Sequence, residues 1–283
     1  MNNEFYIHGQ VALITGGNVG IGRITAIELA KKGFKVVIAG RSLERTQPVL
    51  NHINSLAVDE QAIFLPLDLA SFASVRECAR LFLQLNLPLH LLVNNAGVAG
   101  LRGLTKDGFE MTFGVNHLGH FLLTQLLLEK MQSSGLSRIV TVSSRAHKRA
   151  ASIDWDALCR PTSSWTGIRE YAVSKLANLL FSAELAKRLQ GTSVSTYSLH
   201  PGVVDTEIWR SVPDWVRPLL RLRGFLTPEE GALTTLHCAM HAPQQESGLY
   251  YADSKPIQPA ELGRNSELAT ALWERSKVWV NKA

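Results

Sequence analysis

The sequence predicts an α/β protein with one doubly wound domain, a central parallel sheet of about seven strands with helices on both faces. Short runs rich in Val, Ile and Leu alternate with longer helical patterns along the chain, and a glycine-rich turn follows the first run. Strands that are apolar on both faces require helices above and below the sheet. The 283 residues, 46% of them hydrophobic, are enough for one large core.

The strands and helices follow from these patterns in chain order. A G-L-Y-Y run near the C-terminus adds a last strand candidate. The helix candidates include GRITAIELAKKG, SVRECARLFLQL and the long GVNHLGHFLLTQLLLEKM. The other strand candidates are VALIT at 11–15, KVVIAG at 35–40, AIFLPLDL at 62–69, LHLLVNNAG at 89–97, SRIVTVSS at 137–144 and VSTYSLHPG at 194–202.

The alternation fills the whole chain, so residues 1–283 are expected to form a single domain. Two segments interrupt it: an insertion at 145–170, and a stretch at 205–226 that is rich in Trp and Arg. Long irregular segments in a compact domain are usually functional. We therefore expect 205–226 to form a substrate lid, with a membrane contact as the weaker alternative.

Composition narrows the function classes. The net charge of +5 is spread along the chain, which suits an anionic cofactor better than a nucleic acid. Three scattered cysteines indicate neither disulfides nor a zinc site, and His237 and His241 lack a third ligand, so no metal is expected. The sequence shows neither a signal peptide nor a membrane-spanning run, which predicts a cytoplasmic protein without a transmembrane anchor.

The glycine-rich turn is TGGNVGIGR at 15–23, between the first strand and a helix. Glycines at 16, 20 and 22 let the backbone approach a pyrophosphate, whose charge a helix N-terminus stabilises. The spacing differs from G-x-G-x-x-G, and Arg23 and Ile24 stand where a Walker loop needs Lys and Ser or Thr. The context favours a dinucleotide site over a plain structural turn.

Arg41 ends the second strand in A-G-R-S, where NAD-binding proteins tend to carry a carboxylate for the ribose. A guanidinium there can pair with a 2′-phosphate. The sequence thus predicts NADP(H) in preference to NAD(H), and the alternative is a solvated loop arginine.

Tyr171 and Lys175 lie one turn apart on one face of the helix EYAVSKLANLLFSAELAKRL, residues 170–189. An ammonium ~4 Å from a phenol favours the phenolate by about 4 kcal/mol at an effective dielectric constant of ~20, before desolvation offsets part of it. Such a tyrosine can act as an acid or base near neutral pH. Four histidines, His117, His120, His147 and His200, are expected to be structural or to line the cleft.

The motifs N-N-A-G at 94–97, S-S at 143–144 and Y-A-V-S-K at 171–175 follow the glycine turn in order. Together they resemble the short-chain dehydrogenase/reductase family over almost the full chain, which implies a Rossmann-type domain. The resemblance makes Tyr171 the proton donor or acceptor, Lys175 its activator and a ribose ligand, and Ser144 the partner of the substrate carbonyl. Asn116, in F-G-V-N-H, would hold the water of the proton relay.

The same resemblance implies the cofactor contacts. The residues of the glycine turn would hold the pyrophosphate, Asp68 and Leu69 the adenine, 95–97 the adenosine and ribose, and the H-P-G-V-V-D-T segment the carboxamide. The predicted set is Thr15, Gly16, Asn18, Gly20, Ile21, Gly22, Arg41, Asp68, Leu69, Asn95, Ala96, Gly97, Lys175, Pro201, Gly202, Val204 and Thr206.

Tyr171 follows Ser144 by 27 positions, a long spacing for this family. With S-S-R-A-H, N-H-L-G-H-F, S-K-L-A-N-L-L-F and G-L-Y-Y, it resembles the retinol dehydrogenase-like branch, which is similar to light-dependent protochlorophyllide reductase and the WW-domain oxidoreductase. This implies an NADP(H)-dependent carbonyl reductase or alcohol dehydrogenase acting on a lipophilic aldehyde, ketone or alcohol. The alternatives are a non-catalytic NADP(H) sensor or scaffold and a C=C reductase, and a homodimer stays open.

Overall fold

A computed structural model describes residues 9–56, 62–203 and 226–282 of the chain. Within these residues one sheet runs in the order β3-β2-β1-β4-β5-β6-β7-β8. Neighbouring strands are parallel except for the antiparallel pair β7 and β8. The strands are β1 Val11–Thr15, β2 Lys35–Gly40, β3 Ile63–Pro66, β4 Leu91–Asn94, β5 Ser137–Val142, β6 Val194–His200, β7 Tyr250–Ala252 and β8 Lys255–Ile257.

This sheet confirms the predicted doubly wound α/β fold and corrects its strand number from about seven to eight. The additional strand, β8, forms a tight hairpin with β7. Asp253 and Ser254 turn the chain there with φ of 50° and 58°. Because glycine is the usual residue at positive φ in such turns, this hairpin lacks the sequence pattern that would have predicted it.

Helices cover both faces of the sheet and divide the core in two. One layer packs on the apolar faces of α3, α5, α6 and α8, the other on α1, α2 and α7. A π-helical turn, Gly114–Leu118, joins α4 to α5 without a break in the helical path. The helices are α1 Gly20–Lys31, α2 Leu43–Leu56, α3 Phe72–Gln84, α4 Met111–Phe113, α5 Gly119–Ser133, α6 Ile168–Arg188, α7 Pro228–Met240 and α8 Ser266–Lys282.

The strand order reverses between β1 and β4, which pair directly through Ile14 and Val93. From there the chain winds outward in one direction to β3 and in the other to β8. In doubly wound sheets the crevice at such a reversal, beyond the carboxyl ends of the strands, is where ligands bind. The glycine turn and the N-N-A-G, S-S and Y-A-V-S-K motifs lie at this edge or on the helices that begin there.

Two carboxylates hold the insertion 145–170, one at the start of α4 and one at the start of α6. Buried Glu110 accepts hydrogen bonds from the Phe113 amide at 2.8 Å and from the Thr162 hydroxyl at 2.5 Å. Glu170 accepts from the amide and hydroxyl of both Ser163 and Ser164. These bonds fix the loop directly before Tyr171, so the insertion is part of the wall of the crevice.

Candidate active site

The glycine turn connects β1 to α1 at the strand reversal. Gly16 and Gly20 have φ of +66° and +54°, which side chains rarely adopt. A Cβ on Gly22 would lie 2.4 Å from the Gly16 carbonyl, so only glycine lets α1 start this close to the strand. Val19 caps α1 without a side-chain hydrogen bond, and the first turn of the helix holds no acidic residue. Its amide groups are therefore suited to an anion such as a pyrophosphate.

Thr15 and Asn95 join the ends of β1 and β4. The buried Thr15 hydroxyl accepts hydrogen bonds from the Asn95 and Ala96 amides, both at 3.0 Å. The Asn95 side chain donates to the Thr15 carbonyl at 2.9 Å. These polar atoms hold the protein backbone in place; Asn18 and Ile21, in contrast, are half-buried on the surface of the turn. Contacts of all four with a cofactor stay a prediction.

Arg41 and Asp68 lie at the ends of the neighbouring strands β2 and β3. Arg41 is exposed and has no ion pair within the part of the chain that the structure describes. Asp68 accepts a hydrogen bond from the Ala70 amide at 3.1 Å and lies 3.6 Å from the Lys106 ammonium, while Leu69 is buried. This corner therefore presents an exposed guanidinium that fits a ribose phosphate, while Asp68 and Leu69 follow β3 where the adenine is predicted to bind.

Ser144, Tyr171 and Lys175 meet where β5 ends and α6 begins. Tyr171 is half-buried, and the Ser144 hydroxyl lies close enough to its phenol to influence the phenol pKa. Lys175 is 1% exposed; its ammonium donates to the Val142 carbonyl at 2.9 Å and lies 5.7 Å from the centroid of the Tyr171 ring. The structure thus brings together the three residues that the sequence placed 31 positions apart at most.

The electrostatics of this group differ from the sequence-based expectation. Burial raises the pKa of Tyr171, and the hydrogen bond from Ser144 offsets only part of that rise. Burial also lowers the pKa of Lys175 to about 8. The direction of the shift is opposite to the lowering that the sequence predicted, and the Lys175 ammonium is directed at the Val142 carbonyl. In this state Tyr171 is a neutral proton donor.

Asn116 occupies the π-helical turn, an element that often marks a functional site. Its side chain donates to the Val98 carbonyl at 2.9 Å and to the Ser174 hydroxyl at 3.0 Å, and accepts from the Val98 amide at 2.8 Å. A Cβ on Gly97 would lie 3.3 Å from the Asn116 amide oxygen and 3.5 Å from the Lys175 ammonium. Asn116, Gly97 and Lys175 therefore form one wall of the site.

Several residues around this site had no sequence motif that assigned them a role. The Ser143 hydroxyl donates to the Lys175 carbonyl at 2.6 Å, and Asn178 donates to the Val142 carbonyl at 3.1 Å. His147 donates from its ring to the Ser144 carbonyl at 2.7 Å and accepts from the Ala260 amide at 3.2 Å. These bonds hold the backbone at Ser144, Lys175 and Val142 in place. The S-S-R-A-H run is the sequence signal that could have indicated a role for His147.

The segment after β6 enters the described structure only at its two ends. Pro201 and Gly202 follow β6, and Gly202 has a φ of +89°. The Leu226 amide donates to the Val203 carbonyl at 2.9 Å, so a backbone hydrogen bond joins the residues on either side of the predicted lid. Val204, Thr206 and the rest of the proposed lid 205–226 apart from Leu226 lie outside the described residues.

A family model described as short chain dehydrogenase matches residues 10–156. Mouse retinol dehydrogenase 11 is 43% identical over 272 residues, which cover 95% of this chain and 85% of that protein. The chain belongs to the short-chain dehydrogenase family. Human dehydrogenase/reductase SDR family member 13 is 42% identical over 277 residues, 96% of this chain and 73% of its own, and mouse polyprenol dehydrogenase is 45% identical over 277 residues, 94% and 82%. These relatives support the retinol dehydrogenase-like branch of the family.

Solved structures of the family share the fold. An uncharacterised protein from Mycobacterium paratuberculosis matches 99% of this chain and 96% of its own with a TM-score of 0.79 at 29% identity. A short chain dehydrogenase from Burkholderia cenocepacia in complex with NADP matches 87% and 96% with a TM-score of 0.71 at 26% identity. Within the described part of this short-chain dehydrogenase, the helices are all too short or too polar to cross a membrane.

Proposed function

We propose that this short-chain dehydrogenase is an NADP(H)-dependent oxidoreductase that interconverts a carbonyl and an alcohol on an apolar substrate. The observation that carries the proposal is the cluster of Ser144, Tyr171, Lys175 and Asn116 beside the glycine turn. A binding module has no use for a buried, desolvated ammonium next to a phenol, because burying that charge costs free energy.

The proton side of the reaction follows from the protonation states. Tyr171 keeps its proton at neutral pH because burial raises its pKa, so it is ready to donate to a carbonyl oxygen. Ser144 lies beside the phenol and can donate its one hydroxyl hydrogen to the same carbonyl oxygen when a substrate is bound. Lys175, with a pKa of about 8, is mostly charged at neutral pH and can replace the proton that Tyr171 gives up. This arrangement favours carbonyl reduction.

The cofactor side rests on the turn and on Arg41. When bound, the nicotinamide supplies or accepts the hydride. The uncapped start of α1 suits the pyrophosphate, and the exposed Arg41 suits a 2′-phosphate because no carboxylate of the described residues pairs with it. The NADP complex of the Burkholderia relative supports the same choice.

An apolar substrate is supported by the names of the relatives. Retinol dehydrogenase 11 and polyprenol dehydrogenase are named for long apolar alcohols. Both align with this chain over more than nine-tenths of its length. We therefore propose a lipophilic aldehyde, ketone or alcohol as substrate.

The decisive experiment combines two variants in one assay of NADPH oxidation with a panel of apolar aldehydes and ketones. Tyr171→Phe should bind NADPH normally and lose turnover by about 10²- to 10⁴-fold, the usual contribution of a general acid. Arg41→Asp should weaken NADPH binding by about 10- to 100-fold relative to NADH, because a charge-assisted bond becomes a repulsion. Normal turnover of Tyr171→Phe would refute the catalytic assignment. Unchanged cofactor preference of Arg41→Asp would refute the NADP assignment alone.

A further inference from the structure

His120 lies in the first turn of α5, directly after the π-helical turn, and is 1% exposed. Both of its ring nitrogens have a partner. Nδ1 lies 3.0 Å from the Asn116 carbonyl oxygen, and Nε2 lies 2.9 Å from the Thr15 hydroxyl. The imidazole therefore spans the distance between the end of β1 and the backbone of the residue predicted to hold the relay water.

The positions of the hydrogen atoms on this ring follow from counting the hydrogen-bond donors and acceptors around it. The Thr15 hydroxyl has two acceptor lone pairs and one hydrogen. Its lone pairs are taken by the Asn95 and Ala96 amides, each at 3.0 Å, so Thr15 must donate. The available acceptors are His120 Nε2 at 2.9 Å and the Val93 carbonyl at 3.4 Å, and the nearer one is the histidine. Nε2 therefore accepts.

The hydrogen bond of Nδ1 leads independently to the same tautomer of His120. The Asn116 carbonyl can only accept, so a bond to it requires a hydrogen on Nδ1. A doubly protonated ring would present a third donor to the two lone pairs of Thr15, which the hydroxyl cannot satisfy. Burial of the ring and the nearby charge of Lys175 lower the pKa of His120 to about 4, in agreement with a neutral ring.

We propose that His120 is a positioning residue, held as the neutral Nδ1–H tautomer, that fixes the backbone of the relay residue through its bond to the Asn116 carbonyl and the cofactor turn through its bond to the Thr15 hydroxyl. The inference rests on the proposed function for its catalytic consequence. The Asn116 side chain is already committed to Val98 and Ser174, so His120 acts on the backbone carbonyl of that residue. A rotation of the ring would disturb both ends at once.

Two amide substitutions separate the two ends. Asparagine places its amide nitrogen near the position of Nδ1, and His120→Asn should keep the bond to Asn116 and lose the one to Thr15. Glutamine reaches toward the position of Nε2, and His120→Gln should keep an acceptor for Thr15 and lose the bond to Asn116. His241→Asn, at an exposed histidine after α7, is the matched control.

We expect His120→Asn to keep kcat within about threefold and to weaken NADPH binding about tenfold, and His120→Gln to show the reverse, since each loses one buried hydrogen bond. His241→Asn should change neither quantity. A merely space-filling histidine would give equal losses in both variants, and such equality, or no change in either, overturns the proposal.

Nitrogen NMR of the ¹⁵N-labelled protein tests the tautomer without any substrate and without a variant that must fold. The expected spectrum shows Nδ1 of His120 with a directly bonded proton and Nε2 without one at pH 7. A proton on Nε2, or on both nitrogens, overturns the assignment. A failure of the proposed function can be told apart from a failure of this inference. It would be seen as normal turnover of Tyr171→Phe and would leave the NMR result unchanged.

Discussion

Replacing Lys175 with methionine should inactivate the enzyme and stabilise the protein. Burial lowers the pKa of this side chain to about 8 from its ordinary value of 10.5. Because one pKa unit corresponds to about 1.4 kcal/mol, carrying the charge costs the folded state ~3 kcal/mol at pH 7. The hydrogen bond to the Val142 carbonyl returns about 1 kcal/mol, so Lys175→Met should gain ~2 kcal/mol in the free energy of unfolding.

The pH dependence of this gain has a definite sign. The folded pKa of Lys175 is lowered, so between pH 8 and 10.5 the unfolded chain binds the proton that the folded protein has released. Through that window the stability contributed by this group rises with pH, by at most about 1.4 kcal/mol per pH unit, and it is lost again as the pH falls to 8. The advantage of Lys175→Met should therefore be largest below pH 8 and shrink as pH rises.

Urea denaturation of wild type and variant at pH 7.0 and 9.5 measures both quantities. Lys277→Met, at an exposed lysine on α8, is the control for adding a methionine and should behave like wild type. If Lys175→Met were less stable than wild type at pH 7, or if its advantage grew with pH, the lysine would not be carrying a desolvated charge. The assignment of Lys175 as the source of the proton that returns to Tyr171 would then be wrong.

Three further outcomes follow from the geometry. Gly22→Ala should lower the free energy of unfolding by about 2 kcal/mol or more and weaken cofactor binding, because the new Cβ would lie 2.4 Å from a backbone oxygen. The control is Gly40→Ala, where a Cβ meets open space, and it should leave the melting temperature unchanged. His147→Phe should lower kcat with little effect on cofactor affinity, since it removes the bond to the Ser144 carbonyl, whereas an unchanged kcat would show that this bond is idle. At saturating NADPH, the rate of carbonyl reduction should fall as pH rises through the Lys175 pKa of about 8, and a rate that is flat to pH 10 would exclude Lys175 as the proton source.

The parallel sheet could be predicted because its strands are continuous apolar runs. β1 and β2 have the predicted bounds, Val11–Thr15 and Lys35–Gly40. The third and fourth strands are shorter than predicted, Ile63–Pro66 and Leu91–Asn94, since the runs continue into the loops that form the crevice. Leu67 and Leu69 after β3 are buried like strand residues, which a pattern of hydrophobicity cannot distinguish from a strand.

The candidate site residues could be picked out as a set because four motifs occur in family order, but their charge states could not be predicted. The spacing of Tyr171 and Lys175 indicates neighbours on a helix and says nothing about where the ammonium points. Its direction is set by the Val142 carbonyl, which is contributed by a strand 33 residues away. The hydrogen bonds of His120 and His147 likewise connect distant segments, 105 and 113 residues apart, and so leave no local pattern in the sequence.

The buried bases around the site differ in what they can do with a proton. Burial lowers the pKa of His117 to about 3 and that of His120 to about 4, so both rings stay neutral from pH 5 upward. Lys175, with a pKa of about 8, changes its charge close to physiological pH. A relay through His120 would also need Nε2 to release a proton that, by the accounting at Thr15, it does not hold. Of these three bases, Lys175 is therefore the one that can resupply Tyr171, and His120 contributes by geometry alone.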